Sequence, residues 1–195
     1  MQKRHFLAAA ALGSLALPST AQAPLPGDGA RLQSPALLTV TGAIGKANRG
    51  PFDPVRDQMM AKQKLAFDKA RAFDFGALTG LPAVTIRPTL EYDGKPHALR
   101  GPLLADVLAA AGAAADGRMA MRAVDGYAPT LSLADARRYR YIVATHLDGQ
   151  TMALGGLGPL WAVYDADRFP EMSARPVDQR FATCPWALFH IDVQA

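Results

Sequence analysis

The chain has a single cysteine, Cys184, among 195 residues. An internal disulfide and a paired-cysteine redox motif are therefore excluded, and stability must come from a packed core. Histidine is almost as scarce. His97, His146 and His190 are far apart and lack metal-ligand spacing, which favours surface or hydrogen-bonded core histidines over a zinc or haem centre. Neither a Gly-x-Ser-x-Gly elbow nor a phosphate-binding Gly-rich loop with its Lys-Ser/Thr occurs, so the sequence signals for a serine hydrolase and a nucleotide triphosphatase are missing. Long apolar runs are missing as well: residues 6–17 are Ala/Leu-rich but fall short of the ~20 needed to cross a bilayer. Charge of one sign does not dominate. Lys and Arg number 21 and Asp and Glu 17, and two of the basic residues, Lys3 and Arg4, lie at the very start of the sequence. The balance of the rest is too close to neutral to imply a nucleic-acid partner.

What is present at the N-terminus is a basic start, the short apolar stretch, a helix-breaking Pro18 and the small-residue triplet Ala21-Gln22-Ala23. This is the pattern of a cleaved signal peptide, residues 1–23, and it places the mature protein in the periplasm or otherwise outside the cytoplasm. Lys3-Arg4-His5-Phe6-Leu7 is a Lys-for-Arg variant of the twin-arginine motif; an ordinary secretory signal is the other reading. Residues 24–36, rich in Pro and Gly, read as a flexible leader, and residues 37–195 as one domain with a core of ordinary size.

Along that domain, Leu38, Val40 and Ile44 alternate as in a half-buried strand. Asp53-Pro54 has the form of an N-cap followed by proline at the first helical position, and Met59, Met60, Ala66, Phe67, Ala70 and Phe73 share a face opposite Lys62, Lys64, Lys69 and Arg71. The spacing predicts an amphipathic helix over 54–73 with a basic face, solvated or docking a partner. Residues 78–82 read as a turn and 84–87 as a strand. Asp93-Gly94 and Asp148-Gly149 are hairpin signals. Pro102 is expected at the first position of a buried helix ending at Gly112, and Ser132 with Asp135 three residues on predicts a capped short helix through Arg138. Further strands are expected around Met119–Ala123, at 141–145, at 160–164 and at 187–193. Strands interrupted by a few helices, without regular βαβ alternation, argue an α+β mixed-sheet domain.

Five segments then carry a resemblance: Leu-Arg-Gly-Pro-Leu-Leu-Ala-Asp-Val-Leu-Ala-Ala-Ala-Gly (99–112), Ala-Val-Asp-Gly-Tyr (123–127), Asp148-Gly149-Gln150, Gly158-Pro159-Leu160-Trp161 and Trp186-Ala187-Leu188. In this order they resemble the sulfite-oxidase-fold, molybdopterin-binding oxidoreductase domain, and residues 46–72 look like a helical insertion into its pattern. The resemblance implies that fold and a pterin-shaped pocket. In enzymes of the family a molybdenum-binding thiolate precedes the Gly-x-x-Leu-x-x-x-Leu helix, which falls here at residues 86–89. Those residues are Ile, Arg, Pro and Thr, none a soft ligand. Small exported chains of this kind resemble pterin-binding signalling proteins that regulate a membrane cyclic-di-GMP enzyme. The resemblance therefore implies a non-catalytic protein binding a pterin-like molecule, with a membrane-bound sensor as partner; the alternative is a molybdopterin-dependent oxidoreductase or its accessory subunit.

A pterin is flat and edged with donors and acceptors, so its site needs a ring to stack on and a polar edge. Asp125-Gly126-Tyr127 offers an acid and a ring, although Asp-Gly is also an ordinary turn. Arg87 and Thr89 stand where the metal ligand would be; Arg87 implies a polar ligand or a structural ion pair. Tyr92 falls where the family commonly has an aromatic residue. Trp161 stacks a ligand or fills the core. Cys184 reads as a small buried residue opening a strand, with a ligand role as the alternative.

Overall fold

The computed structural model describes residues 32–194. The expected signal peptide, 1–23, and the expected leader as far as residue 31 lie outside the described residues. In chain order the elements are β1 (Leu38–Gly42), α1 (Gln58–Lys62), β2 (Arg71–Phe73), α2 (Phe75–Thr79), β3 (Ala83–Ile86), β4 (Leu99–Pro102), α3 (Leu104–Ala110), β5 (Arg118–Ala123), β6 (Thr130–Ser132), α4 (Leu133–Arg138), β7 (Ile142–Ala144), β8 (His146–Leu147), β9 (Gln150–Thr151), β10 (Trp161–Val163), α5 (Pro170–Ser173) and β11 (Leu188–Gln194). Among the described residues, no helix is long and apolar enough to cross a membrane.

Three sheets carry the strands. A five-stranded sheet runs β2-β1-β11-β5-β6, a four-stranded one β3-β4-β8-β9, and β10 pairs with β7. Only β1 and β11 are parallel, which joins the two ends of the domain at the centre of the large sheet. Leu38, Val40, Met119, Met121, Leu188 and Ile191 of this sheet are buried in one cluster with Leu104, Val107 and Leu108 of α3 and Leu133 of α4. Each such side chain contributes about 1.5–3 kcal/mol on leaving water. The two small sheets meet each other at Gly101, where a Cβ would sit 1.9 Å from the Val143 carbonyl oxygen, so β4 approaches β7 backbone to backbone.

Several local expectations hold for the reasons given. Ser132 Oγ accepts from Asp135 N at 2.9 Å and caps α4. Asp148 and Gly149, at φ 48° and 82°, form the two-residue turn between β8 and β9.

The helix expected over 54–73 does not form. Asp53 does cap a turn, its Oδ1 accepting from Val55 N and Arg56 N, but the α-helix is confined to Gln58–Lys62 and ends where Lys64 turns left-handed at φ 58°. Beyond it the chain is drawn into the sheet: Arg71–Phe73 pairs with β1, and Ala70 exchanges two backbone hydrogen bonds with Arg49. An unpaired edge on β1 outweighs the helical preference of this segment. Pro102 likewise ends β4 instead of opening α3. The turn expected at 78–82 is preceded by a short helix, α2, capped by Asp74, whose Oδ1 accepts from Ala77 N at 2.7 Å. The buried Asp74 also takes Gln33 N and Ser34 N on Oδ2, tying down the described end of the leader.

Candidate functional site

The segment 181–187 gathers three loops into one cluster. Trp161, opening β10, forms an antiparallel bridge with Trp186, and its indole N–H donates to the Cys184 carbonyl at 2.9 Å. Ala187 N donates to Leu157 O and Ala187 O accepts from Val124 N, which stitches the loop before β10 and the β5–β6 turn to the same segment. At the turn's other end the Tyr127 hydroxyl donates to Ala182 O. Ala187 itself is left-handed at φ 48°, an uncommon conformation for a residue with a Cβ and one that clusters at functional sites.

The six residues singled out from the sequence divide between two places. Tyr92, Asp125, Tyr127 and Trp161 come to this cluster. Tyr92 sits in the 91–94 turn with its ring centroid 6.5 Å from that of Trp161. Asp125 accepts from Tyr127 N on Oδ1 at 2.9 Å, so one carboxylate oxygen shapes the turn and the side chain is otherwise exposed. Trp161 is not a stacking platform: it is 1 % exposed and its ring packs against Phe181 as well as Tyr92. An indole of that size in a strand buried on all sides is core. Arg87 and Thr89 are held elsewhere, their backbone N–H groups donating to Asp165 Oδ2 at 3.3 Å and Asp167 Oδ2 at 2.7 Å.

The accessible rings are instead Tyr92, Tyr127 and Trp186, at 55 %, 48 % and 39 % exposure. Trp186 was not singled out. Its only sequence signal is the Pro185 before it, which breaks the strand that a buried tryptophan would otherwise continue. Glu91 is the other addition: burial, with the Glu91 carboxylate and the nearby Cys184 next, pushes the Tyr92 hydroxyl up to about 12. Asp125 and Glu91 are thus acceptors beside exposed rings.

Cys184 has no such access. It is buried, its Sγ lies 3.8 Å from the Tyr141 hydroxyl, and burial pushes its thiol up to about 12. The molybdenum ligand that the resemblance implies is a thiolate. This protonated, sealed thiol does not fit, nor does the 86–89 segment, which has no sulfur and whose Arg87 and Thr89 N–H groups are spent on carboxylates. The residues present therefore do not fit a thiolate-ligated molybdenum centre. Among the described residues no three His, Cys, Asp or Glu side chains are grouped to hold a metal. What the arrangement offers is aromatic contact and a polar edge.

The fold places the chain among α+β proteins of sulfite-oxidase-like architecture. The crystal structure of the sulfane dehydrogenase SoxCD from Paracoccus pantotrophus is similar with a TM-score of 0.53 and 12 % sequence identity, over 80 % of this chain and 37 % of that one. The chain thus spans little more than a third of that protein's length, and the likeness is one of fold. No family model and no curated protein matches the sequence.

Proposed function

We propose that the protein is a non-catalytic, exported binding protein for a small flat heteroaromatic molecule of the pterin kind, received at the loop cluster bearing Tyr92, Asp125, Tyr127 and Trp186. The observation that carries this reading is the grouping of three accessible rings and the carboxylates of Asp125 and Glu91 around a closed tryptophan, with the single thiol sealed beneath. Rings of this kind bury a ligand face, and a carboxylate accepts from an amino-pyrimidine edge. The bound state is read by a membrane-bound sensor that docks on the basic 62–69 stretch. A physical connection supports that role: Gln63 Nε2, just past α1, donates to the Val124 carbonyl at 3.0 Å, beside Asp125.

Anaerobic calorimetry and thermal melts of the mature protein with tetrahydropterins test it. A ligand at a hundredfold excess over its Kd adds about 2.7 kcal/mol to the native state. Trp186→Ala and Asp125→Ala are expected to remove most of the shift. Absence of heat and shift across the series, or stoichiometric molybdenum by elemental analysis of protein from its native host, overturns the reading, the latter in favour of an oxidoreductase. Reversing Lys62, Lys64 and Lys69 to Glu is expected to weaken capture of the membrane partner while leaving pterin affinity unchanged.

A further inference from the structure

A cavity of about 290 Å³ opens beside the Ala182–Thr183 stretch, between the β6 edge, α4 and the chain following α5. None of the residues assigned above to pterin contact lines it. Its base is the stacked pair Tyr141 and Tyr164, ring centroids 4.8 Å apart, and the Tyr141 hydroxyl shares a 2.6 Å hydrogen bond with Thr183. Leu131 and Met172 add apolar wall, Thr130 and Thr183 hydroxyls.

Its charge is one-sided. Three arginines, Arg118, Arg175 and Arg180, face one carboxylate, Asp135, which is occupied by the Ser132 hydroxyl at 2.7 Å. Arg180 is structural: its guanidinium bonds Asp167 at 2.8 Å, Ser173 O at 2.7 Å and Arg175 O at 2.9 Å. Arg118 and Arg175 are different. Among the described residues neither has a carboxylate within salt-bridge distance, and neither guanidinium makes a hydrogen bond to the protein. Two unengaged guanidinium groups and a fixed third at the wall of a cavity with an aromatic, apolar base leave an anion as the missing component.

We propose that this cavity is a second binding site, for a small organic anion with an aromatic or apolar body, its acid group held by Arg118 and Arg175 and its body against Tyr139, Leu131 and Met172, above the buried Tyr141–Tyr164 pair. The volume sits at the small end of ligand pockets, which run from about 300 Å³ upward. It therefore suits a single-ring acid and not a nucleotide.

Calorimetry of the mature protein with benzoate and phenylacetate, with benzamide as the neutral counterpart and inorganic phosphate as the anion without a body, tests the assignment. The acids are expected to bind at least tenfold more tightly than benzamide and than phosphate. Arg118→Gln/Arg175→Gln, both changes at exposed side chains, is expected to weaken them roughly tenfold or more, the loss of charged hydrogen bonds, with an unchanged melting temperature. Trp186→Ala is expected to leave them unaffected, which separates this site from the pterin cluster. Amide shift mapping on the wild type gives a readout that needs no variant, with perturbations expected at Thr130, Leu131 and Thr183. No acid binding up to millimolar concentration, equal binding of benzamide, an unaltered affinity in the arginine variant, or perturbations confined to the Tyr92–Trp186 cluster would each overturn it. Phosphate binding as tightly as the acids would reassign the cavity to phosphate groups and overturn the aromatic body.

Discussion

Two groups of aromatic residues meet around the segment 181–187 and are put to opposite uses. Trp161, Tyr141 and Tyr164 are closed off from solvent, and every polar atom they carry has a partner: the indole N–H on Cys184 O, the Tyr141 hydroxyl on Thr183, the Tyr164 hydroxyl on Arg180 O at 2.7 Å. Tyr92, Tyr127 and Trp186 present half of their surface to water. Trp161 and Trp186 even pair with each other in an isolated antiparallel bridge, so residue type and neighbourhood do not decide which is core. Backbone direction does. Left-handed Ala187 turns the chain just past Trp186, whereas Trp161 begins a strand with buried neighbours on both sides. The interior set fixes the shape of the cluster, and the rim set is available to a ligand.

That contrast is tested most strongly by truncating its two tryptophans. Trp161→Ala removes a fully buried indole and is expected to cost about 3–5 kcal/mol, seen as a large loss in urea or thermal unfolding. Trp186→Ala is expected to cost less than about 1 kcal/mol while removing the pterin-induced shift. Equal destabilisation by the two changes would erase the distinction between core and rim.

The sequence shows the core more clearly than the rim. Period-two burial in β5, the Ser132 cap and the Asp148-Gly149 turn are local properties, set by residues adjacent in sequence, and each is found where the pattern puts it. The helix over 54–73 failed because the competitor was non-local: the free edge of β1 takes Arg71–Phe73, and no periodicity within the segment reports that edge. α2 went unread because two of the residues in and after its five-residue span, Gly76 and Gly80, weaken helix propensity, and Asp74 alone marks its start. At the site, Tyr92, Asp125 and Tyr127 reach one cluster, but Arg87 and Thr89 are claimed by Asp165 and Asp167, 78 residues away. Trp186 was hidden because no residue type announces a left-handed alanine.

A second test compares two histidines, His190 in the large sheet and His97 in the loop before β4. In the large sheet His190 is buried, hydrogen-bonded at 2.9 Å to Thr41 Oγ1, with Asp192 and Arg122 as its charged neighbours; burial pulls its imidazole down to about 4 from 6.5. The unfolded chain binds this proton near pH 6.5 and the folded chain only near 4. Stability from keeping His190 neutral is therefore full above 6.5 and falls as the pH drops from 6.5 towards 4, by roughly 3 kcal/mol over that interval. Melts between pH 7 and 4 are expected to show this loss in the wild type and much less of it in His190→Gln. A parallel decline in both proteins would assign the acid sensitivity to other groups.

The loop before β4 is expected to behave in the opposite sense, with the smallest effect of the series. His97 accepts no room for ambiguity in its partners: Nδ1 faces Asp148 Oδ2 at 2.6 Å and Nε2 faces Asp93 Oδ2 at 3.0 Å. Both contacts are hydrogen bonds only when both nitrogens carry protons, so the pair of carboxylates, Asp148 foremost, raises the imidazole above its usual 6.5. Lys95 beside Asp93 and Arg87 near Asp148 are the other charges facing the group. The clamp's contribution is complete below 6.5 and is lost as the pH rises through the raised value; Asp93 and Asp148, held below 3.8 chiefly by His97, lose theirs only as the pH falls below that. Asp148→Asn is the sharpest probe, because asparagine tolerates the left-handed turn and its carbonyl can still accept from Ala98 N, as Asp148 Oδ1 does at 2.8 Å. An NMR titration of His97 is expected to give a midpoint above 6.5 in the wild type and one shifted towards 6.5 in Asp148→Asn. A wild-type midpoint at or below 6.5 would mean that the 91–94 turn, and Tyr92 with it, is not held by an imidazolium.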